Sequence, residues 1–575
     1  MINALDQHGV NSSAPTAGFV RLVALLLVMV STSGNAADMP IGIPAPSFGL
    51  DETHEMYAGD AAYQMGKNGP YTHYVDNTSE TCTESGNGTE SLPSCRFPLK
   101  LAAGDVVEIH GGPYTFTARL SVDSAGTASA PVFIRGIDDG NGLPVLSTES
   151  EGRQLYLTGS YAIIEGLELS SMGMRIGGRS SNHHLVVRNL NVHSSEYTCI
   201  GLSGQHLMVL NSEIHHCRHE TKDRHGVQVQ GGSEYIWILG NHIHHNSANG
   251  IQYAHDAKSN PPDFVFVGNN HIHSDREVAV ATKWAARTVV SSNIIHSIRP
   301  SRNGRKFCFD DDSGCITPDS STNGPGIIIG AEGFPEEKWI IYNLIYDTNH
   351  CIRYEEGVSV FILGNVCANI PGGGVILEKR SKELVIAHNT FVNTGYRTGD
   401  GVITQNWRDQ FAPQVHNNLF VSPQGPALWF ESRSVTREMA FDNNLLWNGG
   451  EDMKVRWVNR NRKFGTLAEL QKIMKSGVAE MRDNQVSDPL LTVPDGGPFE
   501  WDDFAPPANS PAVSGGNNIL ETLDARFRES FGDDVTIIPP AWQGGDYDIG
   551  AVAVRTPTAF APRLPVSRPP PRRSD

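Results

Sequence analysis

One short phrase recurs along most of the chain: an asparagine, one or two further residues, an apolar residue such as isoleucine or valine, and often a histidine. The phrase begins at Asn189, Asn211, Asn241, Asn270, Asn293, Asn343, Asn365, Asn389, Asn418 and Asn444. The interval between phrases is similar throughout, except for one that is about twice as long, after Asn293. A regular period of this kind is the signature of a repeat protein, whose units each cover their neighbours.

Each repeat carries three short strands with turns between them. One strand follows a glycine or cysteine, as in GVQVQ from Gly226 and GIQYA from Gly250, and another, such as YIWILG, precedes the asparagine phrase. One such coil cannot bury its apolar face alone, but stacked coils share a continuous core. The sequence therefore predicts an all-β fold, a right-handed parallel β-helix (a solenoid) with loop insertions. The recurring asparagines are expected to form a ladder in which side chains bond their stacked neighbours.

Alternation of apolar and polar residues assigns the two sides of the strand that follows the glycine or cysteine. The residues one and three places after the glycine or its equivalent are apolar, and we expect them to point into the core. They include Val227, Val229, Ile251, Tyr253, Ile327, Ile329, Ile352, Tyr354, Val375 and Leu377. The residues between and after them are expected to point outward.

The cysteines are even in number, and an exported protein can join them in disulfides. The pairs that we expect are Cys308 with Cys315, Cys82 with Cys95, Cys199 with Cys217, and Cys351 with Cys367. Free buried thiols are the alternative for the last two pairs. The first pair closes the loop CFDDDSGC, which lies in the long interval between Asn293 and Asn343. We therefore expect this interval to be an insertion that projects from one coil.

The N-terminal residues are typical of a signal peptide, because Arg21 precedes the apolar run LVALLLVMV and small residues follow near Ala36. That run is too short to span a bilayer, and we expect a periplasmic or extracellular protein with no membrane span. The expected parts are a signal peptide (1–36), an N-terminal cap and opening segment (37–100), the parallel β-helix (101–450), C-terminal coils with a helical insertion (451–554) and a disordered Pro/Arg-rich tail (555–575).

The net charge of −18 argues against nucleic acid as a partner. It also disfavours a polyanionic partner, unless a groove on the protein is locally basic. We expect a monomer.

Three stretches resemble the large bacterial family of right-handed parallel β-helix repeat proteins: the opening GDVVEIHGG…APVFIRG, the NxIHHN phrases, and the closing DPLL…NSPAV…DIGA. Related folds include pectate, alginate and chondroitin lyases, mannuronan epimerases and polygalacturonases. The resemblance covers nearly the whole chain after the apolar run. It implies a secreted carbohydrate-active protein, although one fold hosts several chemistries.

In lyases of this fold the substrate usually lies along the outward face of one parallel sheet, which implies a sugar groove here. Aromatic faces would stack on sugar rings, and amides would bond hydroxyls. The residues expected to bind substrate are Gln228, Gln230, Gln252, His255, Trp284, Arg353, Glu355, Glu378, Lys379, Arg380 and Trp407. The alternative is an ordinary solvated face of mixed charge.

β-Elimination on a uronate needs a base for the proton α to the carboxylate, a cation for the developing charge and an acid for the leaving oxygen. The resemblance implies Lys or Arg as the base, and Lys283 in VAVATKWAAR is the favoured candidate; Arg287 or Arg353 could clamp a carboxylate. The turn HETKDRHG offers Arg224 and His225 as a clamp and an acid or base. The alternatives are a surface lysine and a polar loop.

Two features could hold a metal ion. Asp310, Asp311 and Asp312 in the disulfide loop give part of the oxygen set that Ca²⁺ requires, the alternative being a solvated loop. The histidines that end successive phrases form a column, which we expect to be a stacked ladder like that of the asparagines. They are His193, His215, His244, His273 and His296.

The most favoured function is a polysaccharide lyase that cleaves an acidic, uronate-containing glycan. A glycoside hydrolase is a second possibility, because Glu355 and Glu378 occupy the same strand position in neighbouring coils, about 5 Å apart. A C5-epimerase on the same fold, or a non-catalytic glycan-binding or envelope protein, completes the set.

Overall fold

The computed structural model is a parallel β-helix, as predicted. It describes residues 39–57, 71–84, 88–149, 154–253, 259–330, 337–355, 357–378, 381–395, 401–405, 413–421, 426–430, 439–451, 454–459, 462–466, 468–469, 482–543 and 545–551. The signal-peptide segment, the Pro/Arg-rich tail and most of the predicted helical insertion lie outside these residues. Among them, no helix is long and apolar enough to cross a membrane.

Stacking of the coils produces three runs of parallel strands, which we call faces 1, 2 and 3. Face 1 comprises Lys100–Leu101, Leu120–Ala125, Gly173–Gly177, Ile200–Ser203, Val227–Val229, Ile251–Tyr253, Val280–Ala281, Pro325–Ile329, His350–Tyr354, Val375–Leu377, Ile403–Gln405, Leu428–Phe430 and Lys454–Asn459, with Arg462–Thr466 antiparallel at its end. The long strand Gln154–Glu165 bends from face 1 into face 2 and pairs on both.

Face 2 comprises His73–Asp76, Val106–His110, Val132–Gly136, His183–Arg188, Gln205–Leu210, Glu234–Leu239, Asp263–Gly268, Arg287–Ser291, Glu337–Ile341, Ser359–Leu363, Glu383–Ala387, Gln414–His416 and Ala440–Asp442. Face 3 comprises Tyr114–Phe116, Val145–Thr148, Glu168–Ser170, Asn191–His193, Glu213–His215, His242–His244, His271–His273, Ile294–His296, Leu344–Tyr346, Val366–Ile370, Thr390–Thr394, Leu419–Val421, Leu445–Trp447 and Gln485–Val486. Faces 1 and 2 are joined as one hydrogen-bonded sheet, and face 3 is separate.

The asparagine ladder lies at the turn between faces 2 and 3. Asn343 is fully buried; its backbone N–H and its Nδ2 both donate to Oδ1 of Asn365, at 3.0 and 2.9 Å. The same pattern runs from Asn241 to Asn484. Two asparagines of the phrase are one place out of this register, since Leu190 and Ser212 occupy the ladder position. Asn189 and Asn211 take the preceding turn position with φ of 53° and 47°.

The side chains predicted to point inward form the core. All ten are fully buried in one apolar cluster that runs through the coils. The four predicted disulfides are confirmed as Cys82–Cys95, Cys199–Cys217, Cys308–Cys315 and Cys351–Cys367. Disulfides are typical of proteins that fold outside the cytoplasm.

The outer side of face 2 is apolar, which the repeat did not reveal, and segments near both ends of the described residues cover it. Trp237 donates its indole N–H to the Pro44 carbonyl at 2.9 Å. An α-helix, Ile519–Phe531, packs Phe527 against Trp339 with the ring centroids 4.9 Å apart. The described residues also include the 3-10 helices His54–Tyr57, Trp501–Phe504 and Pro540–Trp542. A cleft opens on the outer side of face 1.

The insertion between Asn293 and Asn343 is confirmed. It carries the antiparallel pair Phe307–Cys308 and Cys315–Ile316, closed by the disulfide. The insertion leaves face 3 after Ile294–His296 and rejoins face 1 at Pro325–Ile329. It therefore runs along the turn between those two faces.

Candidate functional site

A cleft of about 390 Å³ opens on the middle of face 1, beside the insertion. This size is within the range of small-molecule sites. The residues that line it are Asn249, Glu277, Val278, Lys283, Ser321, Thr322, Asn323, Ile328, Arg353 and Glu355. Three of the residues predicted from the sequence, Lys283, Arg353 and Glu355, are thus brought to one place.

Strand register explains why Lys283 and Glu355 face each other. Ile329 pairs with Tyr354, so the next residues, Gly330 and Glu355, lie side by side in neighbouring coils. In the coil before them, Lys283 lies beside Gly330. Gly330 has no side chain, and a β-carbon there would lie 3.2 Å from Oε2 of Glu355 and 3.8 Å from Cγ of Lys283. The glycine therefore leaves the space between the two charged side chains open.

A buried lysine fixes the backbone on which Lys283 stands. Lys338 is fully buried, and its Nζ donates to the carbonyls of Thr282 and Gly330, at 2.6 and 3.2 Å. Because these carbonyls belong to adjacent coils, the ammonium group ties the two turns together. Among the described residues Lys283 itself makes no ion pair, unlike Arg353 nearby.

The insertion forms one wall of the cleft because Arg276 anchors it. Arg276 is fully buried and donates to Oγ of Ser301 and of Ser320, both at 2.9 Å. It also pairs with Asp223, and with Glu277 at 2.9 Å. One guanidinium thus connects the insertion, the turn before Val227–Val229 and the cleft.

Glu277 is a carboxyl group of the cleft lining whose pKa is shifted by its surroundings. Burial raises its pKa, the charge of Arg276 opposes that shift, and the charge of Asp223 adds to it. Its Oε1 accepts a hydrogen bond from Ser320 at 3.1 Å. A carboxyl group with a raised pKa can hold a proton and act as an acid. Glu277 was not predicted from the sequence; the signal available for it was its position on the turn that follows the ladder histidine His273.

His225 lies behind the cleft rather than in its lining. Its Nδ1 accepts a hydrogen bond from the backbone N–H of Asn249 at 3.2 Å. Burial lowers the pKa of His225 to about 3, and the charges of Lys283, Arg224 and Arg276 add to this effect. The imidazole is therefore neutral near pH 7, with its proton on Nε2. Lys283 and the His225 turn thus belong to one electrostatic neighbourhood.

Arg353 bridges the two glutamates that were considered as a hydrolytic pair. Its guanidinium bonds both oxygens of Glu378, at 3.1 and 2.9 Å, and lies 3.4 Å from Oε1 of Glu355. One guanidinium therefore engages both carboxylates and lies between them.

Other residues predicted for the site have partners elsewhere. Arg287 pairs with Asp263 and stacks over Phe264 at 3.8 Å on face 2. Arg224 donates to the Glu196 carbonyl. Trp284 is only 9% exposed, so its ring offers little surface to a sugar.

The glutamines predicted to form a row of amides on face 1 occupy only two neighbouring coils, those of Gln228 and Gln252. Gln230 donates to Gln228 at 2.7 Å, and Gln252 is buried and donates to the Tyr253 carbonyl at 2.5 Å. Beyond them the outward positions of face 1 turn apolar, where Val278, Ala281 and Ile328 form a small cluster. Four further predicted residues, His255, Lys379, Arg380 and Trp407, lie outside the described residues.

The aspartates of the disulfide loop face histidines on the turn beyond face 3. Oδ1 of Asp310 lies 2.8 Å from Nε2 of His245, and Oδ2 of Asp311 lies 2.7 Å from Nε2 of His216. Asp312 is exposed. This mixture of nitrogen and oxygen differs from the oxygen set that Ca²⁺ takes. Calcium binding stays a prediction.

The histidine column is a stacked ladder, as expected. Ring centroids of neighbouring members are 4.8 to 5.0 Å apart from His193 to His296, and Tyr346 continues the stack at 4.9 Å. Burial lowers the pKa of His244 and of His296 to about 4 in each case. Neutral rings can stack without mutual repulsion.

Comparisons with known proteins give only distant likenesses. No protein-family model and no curated protein sequence matches the chain. The solved structures that match include pectate lyase Pel9A, with 14% identity, coverage of 84% of this chain and 95% of that one, and a TM-score of 0.37.

Two further matches are similarly remote. A GH136 lacto-N-biosidase from Eubacterium ramulus has 13% identity, with coverage of 75% of this chain and 69% of that one, and a TM-score of 0.35. An alginate lyase from Paenibacillus sp. has 16% identity, with coverage of 53% of this chain and 92% of that one, and a TM-score of 0.34. Values this low assign no activity, so the fold rests on the strand register described above.

Proposed function

We propose that the protein is a secreted polysaccharide lyase that cleaves an acidic glycan by β-elimination in the cleft on face 1. The observation that carries this proposal is that two groups line the same cleft: Lys283, which makes no ion pair among the described residues, and Glu277, whose pKa is raised by burial. A base and an acid in one cleft meet the two proton-transfer requirements of elimination.

The proposed reaction has two proton transfers: one proton leaves the uronate, and another is given to the oxygen of the leaving sugar. Lys283 acts as the base and removes the proton α to the uronate carboxylate. The electron pair of that C–H bond forms the new carbon–carbon double bond, and the C–O bond to the leaving sugar breaks. Glu277 gives its proton to the leaving oxygen, and exchange with water restores both groups.

Arg353 is the proposed contact for the substrate carboxylate. Its longer interaction, 3.4 Å to Glu355, is the one that a substrate carboxylate would replace, while the two bonds to Glu378 hold the guanidinium in place. A positive group at this point stabilises the charge that develops on the uronate. It also gives the cleft a local cation despite the overall charge of −18.

Calcium has no part in this proposal. Glu355 and Glu378 are held by Arg353, and Asp310 and Asp311 face histidines. Neither described set supplies the six or so oxygens that Ca²⁺ takes. The steps above therefore run through side chains alone.

A panel of polysaccharides tests the reaction class. The purified protein is incubated with uronate-containing and neutral glycans, and both ultraviolet absorbance and new reducing ends are recorded. We expect an acidic glycan to yield reducing ends together with the absorbance of an unsaturated uronate. Reducing ends without that absorbance would contradict β-elimination.

Glycoside hydrolysis is the second candidate, because Glu277 and Glu355 both line the cleft and burial raises the pKa of Glu277. Glu277 would be the acid, and Glu355, 3.4 Å from Arg353, would be the nucleophile or base. This pair replaces the Glu355–Glu378 pair suggested by the sequence. The same panel separates the two reactions, and the product anomer would then distinguish retention from inversion.

A further inference from the structure

Two neighbouring coils break the pattern of the histidine column. After the ladder histidine most coils carry a serine, as at Ser194 and Ser274, whereas two coils carry a second histidine, His216 and His245. These residues have φ of 55° and 56°, a left-handed conformation shared by the serines. Histidine in this conformation is uncommon. The doubled histidines thus depart from a repeat that is otherwise kept.

The disulfide loop covers these two histidines. Nε2 of His216 lies 2.7 Å from Oδ2 of Asp311, and Nε2 of His245 lies 3.6 Å from the same oxygen and 2.8 Å from Oδ1 of Asp310. The two rings stack with centroids 5.2 Å apart. Ligand atoms of His216, His245 and Asp311 therefore lie within 4.8 Å of one another, and Asp310 joins them through its contact with His245.

Each of the two rings is backed by a ladder histidine. Nδ1 of His216 lies 2.6 Å from Nδ1 of His215, whose Nε2 lies 3.1 Å from Oδ1 of Asn191. In the next coil Nδ1 of His245 lies 2.7 Å from Nδ1 of His244, and Nε2 of His244 lies 3.4 Å from Oε1 of Glu213.

This double arrangement leaves each outer Nε2 able to act as a lone-pair donor. The outer ring can donate its Nδ1 proton to the ladder ring, which in turn donates its Nε2 proton to an oxygen. Metal-ligating histidines almost always donate their other N–H in this manner.

We propose that His216, His245, Asp310 and Asp311 form a binding site for zinc. Imidazole nitrogen and carboxylate oxygen are both zinc ligands, with bonds of about 2.0–2.2 Å. A tetrahedron of such bonds has edges of about 3.3 Å. The distances of 2.7 and 2.8 Å are shorter than this edge and the distance of 3.6 Å is longer, so the carboxylates would move by about half an ångström when the ion binds.

Arg218 fixes the loop beside the site and limits its negative charge. Its guanidinium lies 3.4 Å from the centre of the Phe309 ring, donates to Oγ of Ser313 at 2.7 Å, and is 3.9 Å from Oδ1 of Asp311. Two carboxylates and one guanidinium leave a net charge of about −1 before a divalent ion binds. The insertion would then be held by zinc at its hairpin and by Arg276 near the cleft. The zinc proposal does not depend on the proposed lyase activity.

The test is metal binding by the full chain. The protein is stripped with a chelator, dialysed and titrated with zinc chloride by calorimetry, and a second sample is titrated with cobalt chloride while its visible spectrum is recorded. We expect one zinc per chain, a rise in Tm on binding, and cobalt absorption bands typical of tetrahedral coordination. Excess Ca²⁺ should not displace the zinc.

Serine substitutions provide the matched variant, because serine is what neighbouring coils carry at this position. His216→Ser with His245→Ser should abolish stoichiometric binding, and Asp310→Asn with Asp311→Asn should do so without altering the repeat. Asp312→Asn, in the same loop, should bind like the parent protein. Equal zinc uptake by the parent and the serine variant, or displacement of zinc by Ca²⁺, would overturn the proposal.

Discussion

Asp275 and Glu277 lie two residues apart, and burial raises the pKa of both. They differ in their partners. Asp275 accepts hydrogen bonds from the backbone N–H and Nδ2 of Asn246, at 2.8 and 3.0 Å, and has no cation in contact among the described residues. Glu277 borders the cleft and touches Arg276. One carboxyl group therefore belongs to the interior of the coil, and the other is placed to exchange its proton with a ligand.

Asp275 should make the protein less stable as pH rises. Burial raises its folded-state pKa to about 8 from an ordinary value of 3.8, so between these values the folded protein keeps a proton that the unfolded chain has lost. The contribution is complete below about pH 4 and declines by up to about 1.4 kcal/mol per pH unit. Denaturant unfolding of the parent and of Asp275→Asn across this range should give a smaller decline for the variant. Parallel curves would contradict the shift.

Glu277→Gln should lower turnover by about 10² or more, because the amide cannot release a proton to the leaving oxygen. Gln keeps the size of the side chain and the hydrogen bond to Ser320, so KM should change less than kcat. In the parent protein turnover should fall as pH rises through the raised pKa, and this limb should be absent from the residual activity of the variant. A variant with parental turnover would remove Glu277 from the mechanism.

The strand, repeated with its turn, is the element on which the rest depends. Alternation predicted the inward residues of face 1 because a strand has only two sides, and one of them is buried in every coil. The asparagine phrase predicted the ladder, but Asn189 and Asn211 lie one residue before the ladder position, which Leu190 and Ser212 occupy. Both a ladder position and the left-handed position before it favour asparagine, so the residue type alone does not separate them.

Asn365→Ala tests the ladder. Oδ1 of Asn365 accepts two hydrogen bonds from Asn343, and its Nδ2 donates to Ile340, Leu363 and Asn389. Removal leaves buried partners unsatisfied, and we expect a loss of about 3 kcal/mol or more in the free energy of unfolding. Asn393→Ala is the control, because Asn393 is half-buried and makes one side-chain bond, to Asn369 at 2.8 Å. Equal losses for the two variants would contradict a special role of the buried ladder.

The whole molecule combines a regular stack with irregular additions, and only the stack has a period that the sequence displays. The cleft depends on an insertion that folds back onto Arg276, and the outer side of face 2 is covered by segments near both ends of the described residues. Such contacts join residues far apart in sequence, so no spacing indicates them. Lys283, Arg353 and Glu355 were predicted because they lie on face 1, whereas Glu277 was missed because it lies on a turn. The doubled histidines are visible in the sequence, because two coils have His-His where others have His-Ser. Their contacts with the aspartates of the loop could not be predicted from it.

The most direct test of the account compares Lys283→Met with Lys100→Met, a change of an exposed lysine at the start of a strand on the same face. On the acidic glycan that the parent protein cleaves, we expect Lys283→Met to lower kcat by at least about 10² with Tm unchanged, because the general base is lost. Lys100→Met should keep parental activity. Parental turnover by Lys283→Met would contradict the assignment of the cleft as the site of elimination.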